Sequence, residues 1–291
     1  MRNKILFIVN PKSGTLKKTN WIAMATKMLA QEFDLEFQYT TYRGHACELA
    51  QHAVSEGIPI IAAVGGDGTV NEIASALVHT DTALAILPLG SGNGLARDLG
   101  ISTLLPFSAV EAIKHGKTMQ IDYGRANGVP FFCTCGIGFD AHISQLFATN
   151  KKRGFWNYLY LCIREYFRYT PTKCTLEYEG KKVTKKAFVI NCANIHQFGY
   201  NAYIAPHADF TDGRLNITIV KPFGFIGAIR LSVSLFLKQI DKIKYTETFD
   251  CERITFHLPP KTPFHCDGDA IPMPSMVTVE AIKQDLKVII P

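Results

Sequence analysis

The chain has 291 residues, 47% of them hydrophobic and 19% charged, and a net charge of +6 from 31 basic and 25 acidic side chains. That length accommodates two domains with sizeable cores, and the composition excludes wholesale disorder. The basic excess is mild and scattered; it suits anionic substrates or anionic membrane surfaces. With no Lys/Arg run interleaved with aromatics, it argues against nucleic acid.

In chain order, "KILFIVN" (4–10) reads as a buried strand and "NWIAMATKMLAQEF" (20–33) as a helix. "DLEFQYT" is the next strand, and "HACELAQHAVSEG" a helix ending on Gly57. "IPIIAAV" is a third strand. In "TVNEIASALVH" the residues Val70, Ile73, Ala74 and Leu77 are spaced for one helical face. "TALAILPLG" and "LPFSAVEAIKHG" add another strand and helix. Strands alternating with helices predict a parallel sheet covered on both faces, an α/β domain over residues 1–123.

After Asp122 the texture changes. "CTLEYEGKKVTKKAFVINCAN", "RLNITIV", "RITFHLP" and "MVTVEAI" carry β-branched and aromatic residues separated by turn signals. They predict an antiparallel, β-rich second domain over 124–280, with helices expected at 141–169 and 223–240. Eight cysteines include no CxxC pair, and Cys133 and Cys135 read as small buried hydrophobes. Only five apolar residues precede the first polar turn, too few for a secretory signal, so a cytoplasmic protein with reduced thiols is expected. No run reaches about 18 uninterrupted apolar residues, so no membrane span is expected.

Three loops follow strands in the α/β half: "NPKSGT" (10–15), "GGDGTVNE" (65–72) and "GSGNGLARD" (90–98). In an open parallel sheet, ligands bind outside the carboxyl ends of the strands, where these loops lie. Glycines admit a ligand to the backbone, and a helix N-terminus behind them attracts an anion. A single such loop can be a turn and nothing more; three at successive strand ends point to phosphate. Thr69 is expected to cap a helix beginning near Val70. None of the loops is a Walker A motif, and none is GxGxxG with a later ribose-binding acid.

"NPKSG", "VGGDGTVNEI", "LPLGSGNGLARDLGI", "GIGFDAHI", "TDGRLNI" and "CDGDAI" resemble, in that order, the diacylglycerol kinase catalytic-domain family. The "GGDGT" element alone is shared with NAD kinases; the ordered set is far more specific. The resemblance implies an ATP-dependent lipid kinase, with the nucleotide in the cleft between an NAD kinase-like α/β domain and a β-rich domain. It implies ATP contacts from Asn10, Ser13 and Gly14 in the first loop, and from Thr41 before the second helix. The second loop would add Gly65, Gly66, Asp67, Gly68, Thr69, Val70 and Asn71, and the third Gly90, Ser91, Gly92 and Asn93. It also implies that residues 281–291 return to the first domain.

Phosphoryl transfer needs positioning and charge neutralisation, and a hydroxyl nucleophile needs an acceptor for its proton. Asp67, inside the phosphate loop, would repel phosphate unless it organised a metal or a hydrogen-bond network. The resemblance assigns a Mg²⁺ to Asp212 with the backbone carbonyls of Asp209 and Arg214, separate from the ATP-bound Mg²⁺. It assigns the general base to Asp269, where the family carries Glu; Asp267 is the neighbouring alternative. Aspartate reaches about 1.5 Å less far than glutamate. In a second departure, Gly94 stands where many bacterial members carry an acid; the loop is more similar to that of sphingosine and ceramide kinases.

The aromatic and cationic stretch 150–169 suits a membrane interface or an ordinary amphipathic helix, and 223–239 reads as core or acyl-tail lining. His142, His196 and His207 read as structural or polar-contact residues. The acceptor is expected to be a lipid at a membrane surface, diacylglycerol or a sphingoid base, at the inner membrane face; a homodimer is left open. The alternatives are an NAD kinase-like enzyme and a non-catalytic nucleotide- or lipid-binding relative.

Overall fold

Uninterrupted apolar runs such as Ile5–Val9 and Ile61–Val64 can only be stable when both faces of their strands are covered. In the computed structural model, which describes residues 2–14, 18–104, 106–149 and 155–291, those runs form the centre of a parallel sheet. The chain divides into unit 1, Met1–Ile121 with Gln284–Pro291, and unit 2, Asp122–Lys283.

Unit 1 alternates β1 (Asn3–Val9), α1 (Lys18–Leu29), β2 (Phe33–Tyr39), α2 (His45–Ser55), β3 (Ile60–Gly65), α3 (Asp67–Leu77) and β4 (Ala83–Pro88). A five-residue helix α4 (Gly94–Asp98), α5 (Pro106–His115) and β5 (Lys117–Ala126) follow. The strand order is β2-β1-β3-β4, all parallel. The chain leaves β1 towards β2 and then crosses to β3 on the other side, so β1 and β3 flank the switch point at which such sheets bind ligands. Because β1, β3 and β4 are neighbours, their three carboxyl-end loops are neighbours too. Thr69 does not cap α3: the helix starts two residues earlier, with Gly66 as its N-cap.

In unit 2 the strands are β6 (Val129–Phe131), β7 (Thr134–Gly138), β8 (Thr172–Tyr178), β9 (Lys181–Ala187), β10 (Val189–Ala193) and β11 (Leu215–Val220). They continue with β12 (Thr246–Cys251), β13 (Arg253–His257), β14 (Phe264–Cys266), β15 (Asp269–Ile271) and β16 (Met276–Ile290). An antiparallel sheet in the order β12-β11-β10-β7-β14-β15 packs on strands β8, β9, β13 and the first half of β16. The shared core holds Phe131, Ile190, Ile217, Phe256, Phe264 and Val279. Cys135 lies opposite both Cys192 and Cys266 in this sheet, and burial followed by the two neighbouring thiols pushes it well above the ordinary thiol range. It packs as a small hydrophobe, not as a reactive thiol.

The helical stretch expected at 141–169 is two helices, α6 (Phe139–Thr149) and α7 (Phe155–Tyr166), and residues 150–154 of the aromatic-cationic stretch lie outside the described residues. The last helix, α8 (Phe225–Phe236), lays Leu231 and Leu235 on an apolar cluster built around Phe188, Val189 and Ile204. Contrary to the core reading of 223–239, its other face is exposed. Among the described residues, no helix is long and apolar enough to cross a membrane.

β16 is divided between the units. Its first half pairs with β13, Val279 opposite Ile254, and its last residues pair in parallel with β4, Val288 opposite Leu84.

Candidate active site

The three loops of unit 1 touch backbone to backbone. A Cβ on Gly90 would stand 2.5 Å from Gly66 Cα, and one on Gly14 would stand 2.1 Å from the Leu89 carbonyl oxygen. Only glycine permits that approach. Polar bonds then fix the loops. The Asn10 amide donates to Thr69 Oγ1 at 3.0 Å. Ser13 donates its N–H and its hydroxyl to the Asn10 carbonyl at 3.3 and 3.1 Å. The Asn93 side chain donates to the Gly90 carbonyl at 2.7 Å, and the Arg97 guanidinium to the Gly92 carbonyl at 2.9 Å.

Asp67 is the hinge pin of this assembly. Its Oδ2 accepts the Asn93 N–H at 2.8 Å and its Oδ1 the Gly94 N–H at 2.7 Å. Burial raises its pKa above the carboxylate norm, against the opposing pull of those N–H groups. Both oxygens thus hold the third loop by hydrogen bonds. Beside Asp67, Gly68 is exposed, with nothing within 4 Å of where a Cβ would stand. The first turn of an eleven-residue helix and an N-cap without a side chain are what a phosphate requires. Val70 faces the core, and its N–H closes on the Gly66 carbonyl at 3.1 Å.

Thr41 follows β2, and its N–H donates to His45 Nδ1 at 3.1 Å. Sequence reasoning gave no role to Glu72, the last residue of the second motif. Its carboxylate accepts the Gly44 and Ala46 N–H groups at 2.9 and 3.2 Å, capping α2, whose own N-cap is a glycine. Its partners lie 28 and 26 residues upstream, so no local spacing announced them.

In unit 2, Asp267 and Gly268 have φ of 48° and 80° and make the two-residue hairpin turn between β14 and β15. The Asp267 carboxylate accepts three N–H groups, from Phe132 at 2.8 Å, Cys133 at 2.8 Å and Thr134 at 3.0 Å. These three bonds tie the turn to the segment leading into β7. Asp269 opens β15 opposite Cys266 and is exposed. Also unforeseen was a buried pair, His265 Nε2 with Asp140 Oδ2 at 3.1 Å, while His265 Nδ1 accepts the Gly268 N–H at 3.3 Å. With Nδ1 accepting, the ring proton sits on Nε2 and is donated to Asp140. The turn bearing Asp269 is therefore tied on both flanks.

His142 pairs with Glu165 at 3.1 Å and His207 with Asp241 at 3.4 Å. The His196 carbonyl accepts the Ala205 N–H.

The residues expected at the second metal form a chain of side-chain-closed turns. Asp209 Oδ1 accepts the Thr211 N–H and hydroxyl, Asp212 Oδ1 accepts the Arg214 N–H, and the Gly213 N–H donates to Asp122. The Arg214 guanidinium turns to Glu179 and the Asp250 carbonyl. Oxygen donors alone suit a hard cation. Among the described residues no cluster of three acids, histidines or cysteines is present, so a cation here would depend on backbone carbonyls.

A family model for the diacylglycerol kinase catalytic domain matches residues 4–126, and one for the YegS C-terminal NAD kinase beta sandwich-like domain matches residues 133–290. The chain belongs to the diacylglycerol kinase catalytic-domain family. It carries that family's kinase catalytic domain. It is similar to a diacylglycerol kinase of Mycobacterium tuberculosis, 29% identical over 84% of this chain and 81% of the relative. An uncharacterized protein of Synechocystis is 27% identical over 81% of this chain, which spans 57% of that relative's length. Among solved structures, a putative diacylglycerol kinase of Bacillus anthracis superposes with a TM-score of 0.83 over 99% of this chain and 95% of its own, at 22% identity. That likeness establishes the shared fold.

Proposed function

We propose that this kinase transfers the terminal phosphoryl group of ATP to a hydroxyl of diacylglycerol or a closely related lipid. The observation that carries the reading is the Asp67 clamp. It fastens the third glycine loop to the first turn of α3, where Gly68 is exposed, and so supports reading that turn as an anion site. In this reading the first turn of α3 and the loops at Asn10–Gly14 and Gly90–Asn93 receive the phosphates, and Thr41 adds a polar contact. Asp67 holds that geometry without touching phosphate.

A nucleotide-borne Mg²⁺ would neutralise charge on the phosphates. A second cation at Asp212, with carbonyls from Asp209 and Arg214, would stiffen the turn before β11. Asp269, exposed on a turn that Asp267 and His265 hold from behind, takes the proton of the attacking hydroxyl. The alcohol oxygen then bonds to phosphorus as the bond to the ADP oxygen breaks.

The test is incubation of the purified protein with labelled ATP and diacylglycerol in mixed micelles, with a sphingoid base and NAD in parallel. Labelled phosphatidic acid is the expected product. Label entering NAD alone would replace this reading with a soluble nucleotide kinase.

A further inference from the structure

Helix α8 is rich in apolar side chains yet buried on one side only. Leu231, Ser234 and Leu235 face the unit 2 core. Phe225, Ile226, Ile229, Val233, Phe236 and Leu237 face outward, each between 51% and 69% exposed. The outward set recurs every three to four residues, so it forms one continuous stripe. Phe167, just past α7, extends the stripe: it is 70% exposed and stacks on Phe225 with ring centroids 6.2 Å apart. A contiguous apolar strip of this kind marks an interaction surface.

The charges around it decide which kind. The segment 221–244 contains Lys221, Arg230, Lys238, Lys242 and Lys244 against the single acid Asp241. Arg230, Lys238, Lys242 and Lys244 are exposed, as is Arg168 beside Phe167. Asp241 faces His207. Two copies of this face would bring cations against cations, which disfavours self-association. At 12 residues the helix is about 18 Å long, too short to span a bilayer. Apolar side chains rimmed by cations match an anionic membrane interface, where the chains enter the acyl boundary and the cations meet phosphates.

We propose that the outer face of α8, with Phe167, docks the protein on anionic bilayers. The purpose of such docking rests on the lipid-kinase reading; the docking itself is measurable without it.

The experiment is co-sedimentation with vesicles of phosphatidylcholine alone and of phosphatidylcholine with phosphatidylglycerol, comparing wild type with Ile229→Asp/Val233→Asp and with Arg230→Glu/Lys238→Glu. Wild type should partition at least tenfold more strongly onto the anionic vesicles, and both variants should lose at least tenfold of that binding. Circular dichroism and sedimentation velocity without lipid should not change, because all four side chains are exposed. Wild-type partitioning by the Asp variant would overturn the proposal. So would a wild-type dimer that the same variant splits, since the stripe would then cover a second copy. Turnover on diacylglycerol in detergent micelles separates the two claims. If docking fails but micelle turnover persists, the kinase reading stands and this surface does not; vesicle binding without turnover has the reverse meaning.

Discussion

The carboxylate of Asp67 accepts the backbone N–H of Asn93 at 2.8 Å, tying two glycine loops 26 residues apart in sequence. Hydrogen bonds to an ionised acceptor are worth about 1.5–3 kcal/mol each. Asp67→Ala should therefore weaken nucleotide binding roughly 10- to 100-fold and abolish measurable turnover with the fold intact. Equilibrium binding of a fluorescent ATP analogue, beside a thermal melt, checks this. Near-normal turnover would remove Asp67 from the site.

The same carboxylate gives two pH slopes of opposite sign. Burial raises its folded pKa above the ordinary 3.8. On acidification it protonates before an unperturbed aspartate would, loses an acceptor and releases the third loop. Nucleotide affinity should therefore rise with pH through that window. The folded state also holds this proton more tightly than the unfolded chain, so the group's contribution to stability falls as pH rises through the same window. Titrating binding and chemical denaturation from the ordinary aspartate range upward tests both slopes. In Asp67→Asn both should vanish.

Asp267 and Asp269 should separate cleanly. Asp267→Ala strands three N–H groups and should cost roughly 2–4 kcal/mol of stability. Asp269→Asn should leave the melting temperature unchanged while kcat falls at least ~10²-fold, with ATP affinity retained. Asp269→Glu keeps the carboxylate and should keep measurable turnover. If turnover survives in Asp269→Asn, the proton goes to water or to ATP.

Glu280 accepts from Arg125 at 2.7 Å and from Arg253 at 2.5 Å, and the two guanidiniums hold its carboxyl below the usual range. Stability from this group is present above the ordinary glutamate range and is lost as pH falls through the depressed value. The pairs are partly solvated, so Glu280→Gln should cost only about 0.5–1 kcal/mol near neutral pH. A wild-type minus variant difference that grows on acidification would contradict the sign.

Turnover should require a divalent cation, because none of the glycine loops is a Walker A motif and the single lysine of the first loop, Lys12, cannot by itself offset the charge of a triphosphate. Excess chelator should abolish it and added Mg²⁺ restore it. Full activity in chelator would refute this.

The alternation of strand and helix was legible because both faces of a parallel sheet are buried and its strands read as apolar runs. The glycine loops were legible because close backbone approach admits no other residue. Long-range geometry was not. Asp267 finds its donors 133 to 135 residues upstream, and His265 finds Asp140 125 residues away. A turn-forming Asp-Gly looks the same with or without them. The stretch 223–239 reads as core or acyl-tail lining because apolar content says nothing about which face another element covers. Thr69 read as a cap because its type suits one, whereas its hydroxyl is taken by Asn10.

The shared strand β16 bears on the order of events during synthesis. Unit 1 gains Val288 beside Leu84 and the bond from the Lys287 ammonium to the Asp81 carbonyl only from residues that emerge after all of unit 2. Until then β4 presents an unpaired apolar edge, the kind that invites pairing with foreign strands. A nascent chain stalled after residue 121 would hold every nucleotide-loop residue and still lack the strand that closes its sheet. The unit translated first is the one that must wait for residues 284–291.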